Sequence, residues 1–397
     1  MNFEFSNRIS GVQASAVREI LKAAADPAVI SFGGGNPAAE AFPVEEIRKI
    51  SNEVLTNNPI PALQYGITEG YPPLRESAKA FFNRNEQISK DYDDIIITSG
   101  SQQIMDFLAK CLVNEGDIVV SENPAFLGAL NSFKSNGAKL IGIDSINGNM
   151  DLVKLEEVLK NNKVKFIYTI PNFQNPMGTC MDLETRKGLY ELGKKYQTLI
   201  FEDDPYGAIR FDGQAIPSIK SFDDEGVVVY AASLSKIISP GMRIAACIGH
   251  KALLQKMTIA KQVNDVNSNC WAQIVIDQYL RTTDMNAHLT KISAIYKEQA
   301  ELMLDCIKKY FHPSIQYTVP EGGMFIWCTL PEGVDVMEFV QAGVEKKVMV
   351  VPGGSFLTDD GVVCKSFRMN YSAPSKENIV KGCKILGEIT YKFCEGK

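Results

Sequence analysis

Between residues 94 and 232 the chain alternates short, continuous apolar runs with amphipathic stretches. The runs are DIIIT (94–98), DIVVS (117–121), KLIGI (139–143), VKFIYTI (164–170), TLIFED (198–203) and GVVVYAA (226–232). A strand with one face in water alternates apolar and polar residues, whereas a continuous run implies a strand covered on both faces. Helix-like segments at 101–113, 124–136, 151–162 and 182–197 supply the cover. The pattern predicts an α/β fold with a mostly parallel central sheet between helices. Such sheets bind ligands outside the carboxyl ends of their strands, so the residues that follow each run are the first candidates for a site.

The pattern changes toward both ends of the chain. A helical segment at about 286–310 leads to IQYTV, MFIWCTL, a helix over 335–346, VMVVPGG, SFRMNYS and a closing helix over 375–393. These read as a smaller α+β domain. The first 50 residues hold a helix-like stretch, SAVREILKAAA, and an extended ISFGGGNP. No internal repeat or low-complexity linker interrupts the 397 residues.

Composition then excludes several function classes. With 45% apolar and 22% charged residues the chain can bury a large core. Its 41 basic and 47 acidic residues leave a net charge of −6, which argues against a nucleic-acid partner. The three histidines, His250, His288 and His312, include no pair at metal-ligand spacing, so neither a metal site nor a histidine-driven triad is expected. Nine scattered cysteines without a C-x-x-C pair, such as Cys247 and Cys328 inside apolar runs, read as core thiols of a reduced, cytoplasmic protein. The N-terminal MNFEFSNRIS lacks a secretory pattern, and no apolar stretch approaches the roughly 18 residues that span a bilayer.

Four strand ends carry candidate chemistry. DIIIT is followed by SGSQQ and a helical run, which suits either an anion site at a helix N-terminus or an ordinary serine cap. VKFIYTI is followed by PNFQNPMG, a turn that either only reverses the chain or holds Asn175 toward the crevice as a donor. TLIFE is followed by DDPYG, where Asp203 leaves a buried strand with Tyr206 three residues on. A carboxylate there either caps its own turn or meets a cation. GVVVYAA is followed by SLSKIISPGMRIA, which sets Lys236 at the end of a buried strand and Arg243 seven residues later. Most lysines are solvated surface charges, but one in a desolvated crevice has a lowered pKa and becomes a nucleophilic amine. Together these ends offer an anion loop with an arginine, an amine, a carboxylate and an amide. Pyridoxal 5′-phosphate needs that set for its phosphate, aldehyde, pyridine nitrogen and phenolic oxygen.

On S-x-S-K-x6-R with Pro-Gly, N-P-x-G and D-x-x-Y in their order, the sequence resembles the fold-type I, class I/II pyridoxal-phosphate-dependent aminotransferases. Within them it is similar to the 2-aminoadipate/kynurenine-type and multisubstrate subgroup. The resemblance runs from SAVREIL to the last helix. It implies that Lys236 binds the cofactor aldehyde and shuttles the catalytic proton, and that Asp203 pairs the pyridine nitrogen. Asn175 and Tyr206 would bond the phenolic oxygen, and Ser101, Gln102, Ser233 and Arg243 the phosphate. Phe126, in ENPAF, falls where the family stacks an aromatic on the ring. Tyr65, in LQYGITEG, matches a tyrosine reaching the phosphate of a neighbouring subunit, which implies a homodimer with shared active sites. Arg368, in SFRMNYS, matches the arginine that clamps the substrate α-carboxylate. Met177 stands where the family usually has threonine, and Phe126 lacks the hydroxyl of the tyrosine often found there.

The resemblance also implies a large cofactor domain over residues 51–285 and a small domain made of 1–50 and 286–397. ISFGGGNP lacks the G-x-G-x-x-G spacing of a dinucleotide loop, and the family places Gly34 and Gly35 against the substrate instead. VPGGSF (351–356) reads as a turn near the site. Arg18 either receives an acidic substrate side chain or forms a surface ion pair with an acid such as Glu19. The implied reaction is ping-pong transfer between an L-amino acid and a 2-oxo acid, with 2-oxoglutarate as the expected acceptor. A lyase on the same scaffold shares every cofactor motif. The ligand-sensing domain of a transcription regulator shares the fold, but its basic DNA-binding domain finds no room before a pattern that begins within the first 20 residues.

Overall fold

The computed structural model describes residues 3–10, 26, 28–359 and 361–395. The helix-like stretch over 15–25, which includes Arg18, lies outside the described residues. After the short β1 (Ile30–Ser31) come eight strands of one sheet. These are β2 (Asp93–Thr98), β3 (Ile118–Asn123), β4 (Lys139–Ile146), β5 (Asn149–Met150), β6 (Val164–Thr169), β7 (Leu199–Asp204), β8 (Val228–Ser233) and β9 (Ala245–His250). Their spatial order is β2-β9-β8-β7-β6-β3-β4-β5. The pairs β4/β3, β3/β6, β6/β7 and β7/β8 are parallel, whereas β9 runs antiparallel to both β8 and β2.

The continuous apolar runs are explained by two cores, one on each face of the sheet. Val119, Phe166, Phe201 and Val229 belong to one core, and their chain neighbours Val120, Ile167, Ile200 and Val228 to the other. Successive side chains of a strand point to opposite faces, so both neighbours must be apolar. Helices Ser101–Leu112 and Leu127–Ser135 bury Phe107 and Phe133 in the first core. Helices Leu152–Asn161 and Leu183–Lys195 bury Leu155 and Leu189 in the second.

Asp151 and Asp182 cap the last two helices through backbone N–H groups of their first turns. Helix Ser101–Leu112 differs, because its cap position is Gly100 and no side chain satisfies its first N–H groups. The expected helix at 124–136 starts only at Leu127. Phe126 before it is extended, with φ −62° and ψ 117°, and ends the turn that leaves β3. The strand β9 was not anticipated from the sequence; it and β5 run antiparallel to their neighbours in a sheet that is mostly parallel, as expected.

The later strands are β10 (Gln316–Tyr317), β11 (Phe325–Thr329), β12 (Val348–Met349), β13 (Val351–Pro352) and β14 (Ser366–Asn370). A four-stranded sheet has the order β10-β11-β14-β13, and β12 pairs in parallel with β1. Helices Met285–Tyr310 and Lys376–Glu395 pack on each other and bury Ile307 and Leu386 in the first core. The chain after β1 continues along β14, with Asn370 N–H donating to Phe32 O at 2.8 Å. That contact delivers Gly33–Gly35 to the carboxyl ends of the large sheet. No helix among the described residues is long and apolar enough to cross a membrane.

Candidate active site

Residues that follow β6, β7 and β8 face the N-terminus of helix Ser101–Leu112 across a cavity of about 400 Å³, a volume typical of small-molecule sites. Ser101, Gln102, Phe126, Asn175, Asp203, Tyr206, Ser233, Lys236, Arg243, Arg368 and Gly35 all line it. Gly33 lines it where Gly34 does not. Tyr65 is 82% exposed and stands outside the cavity.

The β8–β9 hairpin explains the lysine and arginine. Ser233 is paired with Ala245, so residues 234–244 form the link between two antiparallel strands, and Lys236 and Arg243 return to the same end of the sheet. The Lys236 ammonium donates to Gly35 O at 2.8 Å. Burial lowers its pKa to about 8, and the cations Arg243 and Arg368 add to that effect. Two other lysines with fully buried side chains are paired with carboxylates: Lys220 with Asp93 and Asp223, and Lys261 with Asp265. Among the described residues Lys236 forms no such ion pair. An amine that loses its proton near neutrality is a usable nucleophile and base.

The Arg243 guanidinium donates to Ser99 O and Pro240 O, each at 3.3 Å, and lies against Gly100. A Cβ at position 100 would stand 2.1 Å from Arg243 Nη2 and push the guanidinium out of place, and φ there is +85°, a backbone region that favours glycine. The uncapped helix N-terminus, Ser101, Ser233 and Arg243 therefore form a cradle for an anion. Gln102 is held beside them by its Nε2 donating to Gly128 O at 2.7 Å.

Asp203, at the end of β7, is 1% exposed. Tyr168 O–H donates to its Oδ2 at 2.8 Å, while Oδ1 finds no partner among the described residues. Burial raises the carboxyl pKa to about 7, opposed by the Tyr168 hydrogen bond. A buried acceptor without a donor is costly, and a ligand N–H at Oδ1 removes that cost.

Arg368, from the middle of β14, is 5% exposed and has no carboxylate partner among the described residues. Its Nη1 donates to Asn175 Oδ1 and its Nη2 to Gly33 O, both at 2.7 Å, while Nε is unsatisfied. The guanidinium carbon lies 4.3 Å from the Phe325 ring centroid and 4.9 Å from that of Phe356. Burial lowers its pKa to about 10, still far above neutrality. A buried cation without a counter-ion is a receptor for a carboxylate.

Asn175 is positioned by the turn after β6. Fully buried Glu122 accepts from Ile170 N at 2.9 Å, and Gln174 Nε2 donates to Pro124 O at 2.7 Å. Burial is also the main reason why Tyr206 is held above the usual phenol range, and a hydrogen bond with Asn175 opposes it.

The remaining lining residues include Leu127, Ile170, Pro205, Ser235, Phe325 and Phe356. Pro205 and Ser235 sit inside motifs already singled out, and Phe356 in the VPGGSF turn. Phe325 carried no local signal, because β11 reads as core in the sequence.

A ligand that fits must bring a carbonyl to Lys236, an anion to the helix N-terminus, a protonated ring nitrogen to Asp203 and a carboxylate to Arg368. Pyridoxal 5′-phosphate with an amino-acid substrate supplies all four, so the residues present suit that cofactor. The family model for aminotransferase class I and II matches residues 27–386. The chain is 40% identical to the aromatic-amino-acid aminotransferase 1 of Thermococcus litoralis, over 97% of this chain and 93% of that one. It is 35% identical to the 2-aminoadipate transaminase of Thermus thermophilus, over 96% and 95%. The crystal structure of a multiple substrate aminotransferase from Thermococcus profundus superposes with a TM-score of 0.94 at 37% identity, covering 99% of this chain and 98% of that one. The protein is therefore a member of the class I and II aminotransferases, enzymes that depend on pyridoxal phosphate to move amino groups between amino acids and keto acids.

Proposed function

We propose that the enzyme moves the amino group of L-amino acids with large apolar or aromatic side chains to 2-oxoglutarate by a ping-pong sequence. One observation carries the donor class: the cavity that Arg368 lines is walled by Leu127, Phe325 and Phe356, and among the described residues no carboxylate pairs with the guanidinium. The name of the 40% identical relative, an aromatic-amino-acid aminotransferase, supports it.

Pyridoxal phosphate, when bound, supplies an electrophilic aldehyde and an electron sink. The helix N-terminus, Ser101, Gln102, Ser233 and Arg243 would hold its phosphate, Phe126 would lie against its ring, and Asn175 and Tyr206 would meet its phenolic oxygen. Asp203 Oδ1 keeps a proton on the ring nitrogen. Arg368 would fix the substrate α-carboxylate against the close backbone of Gly33 and Gly35. Lys236 Nζ, a buried amine at the cavity wall, would bind the cofactor aldehyde and, when free, would hold the proton taken from the substrate Cα.

The layout we propose assigns residues 51–285 to a large cofactor domain, and 1–50 with 286–397 to a small one. Ile60, Leu63, Tyr65 and Ile67 expose 70%, 73%, 82% and 50% of their surface, which supports a homodimer in which Tyr65 reaches the partner's phosphate site. The free cysteines, Cys247 and Cys328 among them, support a reducing, cytoplasmic location.

A half-reaction screen tests the donor class. Purified enzyme is mixed with single amino acids and loss of the cofactor's visible band is followed. Phenylalanine, tyrosine and leucine should discharge the band faster than glutamine, lysine or serine. The reverse ranking overturns the reading.

A further inference from the structure

Asp203 has one protein hydrogen bond among the described residues, from Tyr168, and this divides the work of its two oxygens. Tyr168 is fully buried in β6, between Phe133 at 5.3 Å and Phe201 at 5.4 Å between ring centroids. Its hydroxyl donates to Asp203 Oδ2 at 2.8 Å. The same contact leaves Oδ1 unpartnered at the cavity wall. We propose that Tyr168 is a positioning residue for the reaction: its O–H locks the Asp203 carboxylate in one orientation and keeps it anionic, so that the cofactor's ring nitrogen retains its proton. The proposal rests on the reading of Asp203 as the partner of that nitrogen.

The surroundings make the hydroxyl decisive. The neighbouring charge of Asp204 raises the Asp203 pKa, as burial does, and Tyr168 alone is found to lower it through a hydrogen bond. Glu122 and Tyr206, the other titratable groups that act on Tyr168, are themselves acids held above their usual range by burial. Without the phenol, the proton shared with the ring nitrogen would shift toward the carboxylate. Charge-assisted hydrogen bonds are the strong ones, and this one sits where water cannot replace it.

The test is Tyr168→Phe in the holoenzyme, with Asp203→Asn and Tyr279→Phe alongside. Tyr279 is a buried tyrosine whose hydroxyl has no partner among the described residues, so it controls for the loss of a buried hydroxyl. Two quantities are read: the pH midpoint of the cofactor's visible band, and the dissociation constant of pyridoxal phosphate from the apoenzyme. Tyr168→Phe should raise the midpoint by about half a unit or more, and weaken cofactor binding roughly tenfold. Asp203→Asn should move both further, and Tyr279→Phe neither. Fluorotyrosine at position 168, a stronger donor of nearly the same shape, should lower the midpoint. It decides the matter even where Tyr168→Phe fails to fold. A parental midpoint in both Tyr168 variants, while Asp203→Asn shifts, overturns the role of Tyr168 alone. A parental midpoint in Asp203→Asn as well overturns the Asp203 reading and the proposal with it.

Discussion

Arg368 and Asn175, 193 positions apart in the chain, share a hydrogen bond of 2.7 Å from Nη1 to Oδ1. The bond joins β14 to the turn after β6, so the carboxylate receptor and the phenolic-oxygen donor are fixed relative to each other. Arg368→Ala should lower kcat/KM about 100-fold to 1,000-fold for every amino acid tried, mainly through KM, while the visible band of the bound cofactor persists. Steady-state kinetics with the spectrum of the same preparation checks both halves.

Gly100→Ala should loosen the cofactor. The new methyl must displace the Arg243 guanidinium, 2.1 Å away, and the backbone must hold φ +85° with a side chain. Strain of this kind costs about 1–3 kcal/mol, so the dissociation constant for pyridoxal phosphate should rise about tenfold or more. Equilibrium dialysis of reconstituted enzyme measures it.

Cofactor capture should follow the Lys236 amine. With its pKa lowered to about 8, the rate at which apoenzyme binds pyridoxal phosphate should climb through pH 8 and level off above it. An ordinary lysine would still be climbing near pH 10. The sign for stability follows. Between about pH 8 and the ordinary lysine value, the unfolded chain keeps a proton that the native amine has lost. This group therefore adds to apoenzyme stability as pH rises through that window, and Lys236→Met should remove that slope. Stopped-flow absorbance and urea unfolding at several pH values read the two effects.

Arg186 is a fully buried cation whose donors reach Met181 O, Ile216 O, Pro217 O, Pro171 O and Asn172 Oδ1. It braces the segment that continues to Asn175. Arg186→Ala strands several acceptors in the core and should destabilise the fold by about 4 kcal/mol or more, seen as an earlier urea midpoint.

Leu63→Glu places a charge on the exposed apolar face around Tyr65. Light scattering after size exclusion should show the parent as a dimer and the variant shifted to monomer, with weakened cofactor retention because Tyr65 no longer reaches its partner.

Much of this architecture was legible because strands buried on both faces leave an unmistakable run of apolar residues. The six runs became β2, β3, β4, β6, β7 and β8, and the residues after all but β4 converge on one cavity. β9 was missed, since the link from Ser233 to Ala245 is 11 residues long, and its Pro240-Gly241 turn does not mark so long a connection as a hairpin. That link is what brings Lys236 and Arg243 together. The cage of Phe325 and Phe356 around Arg368 was not legible either. It is assembled from β11, the VPGGSF turn and β14, and such pairing leaves no periodicity in any one segment. Tyr168 looked like one more core aromatic, because a hydroxyl aimed across two strands is visible only once β6 and β7 are in register.

The central claim is that Lys236 holds the cofactor aldehyde, and borohydride reduction tests it most directly. Holoenzyme is reduced, digested and sequenced by mass spectrometry. A phosphopyridoxyl group is expected on Lys236 and lost in Lys236→Ala; label on another lysine, or an unmodified Lys236 in catalytically active enzyme, would rule that role out.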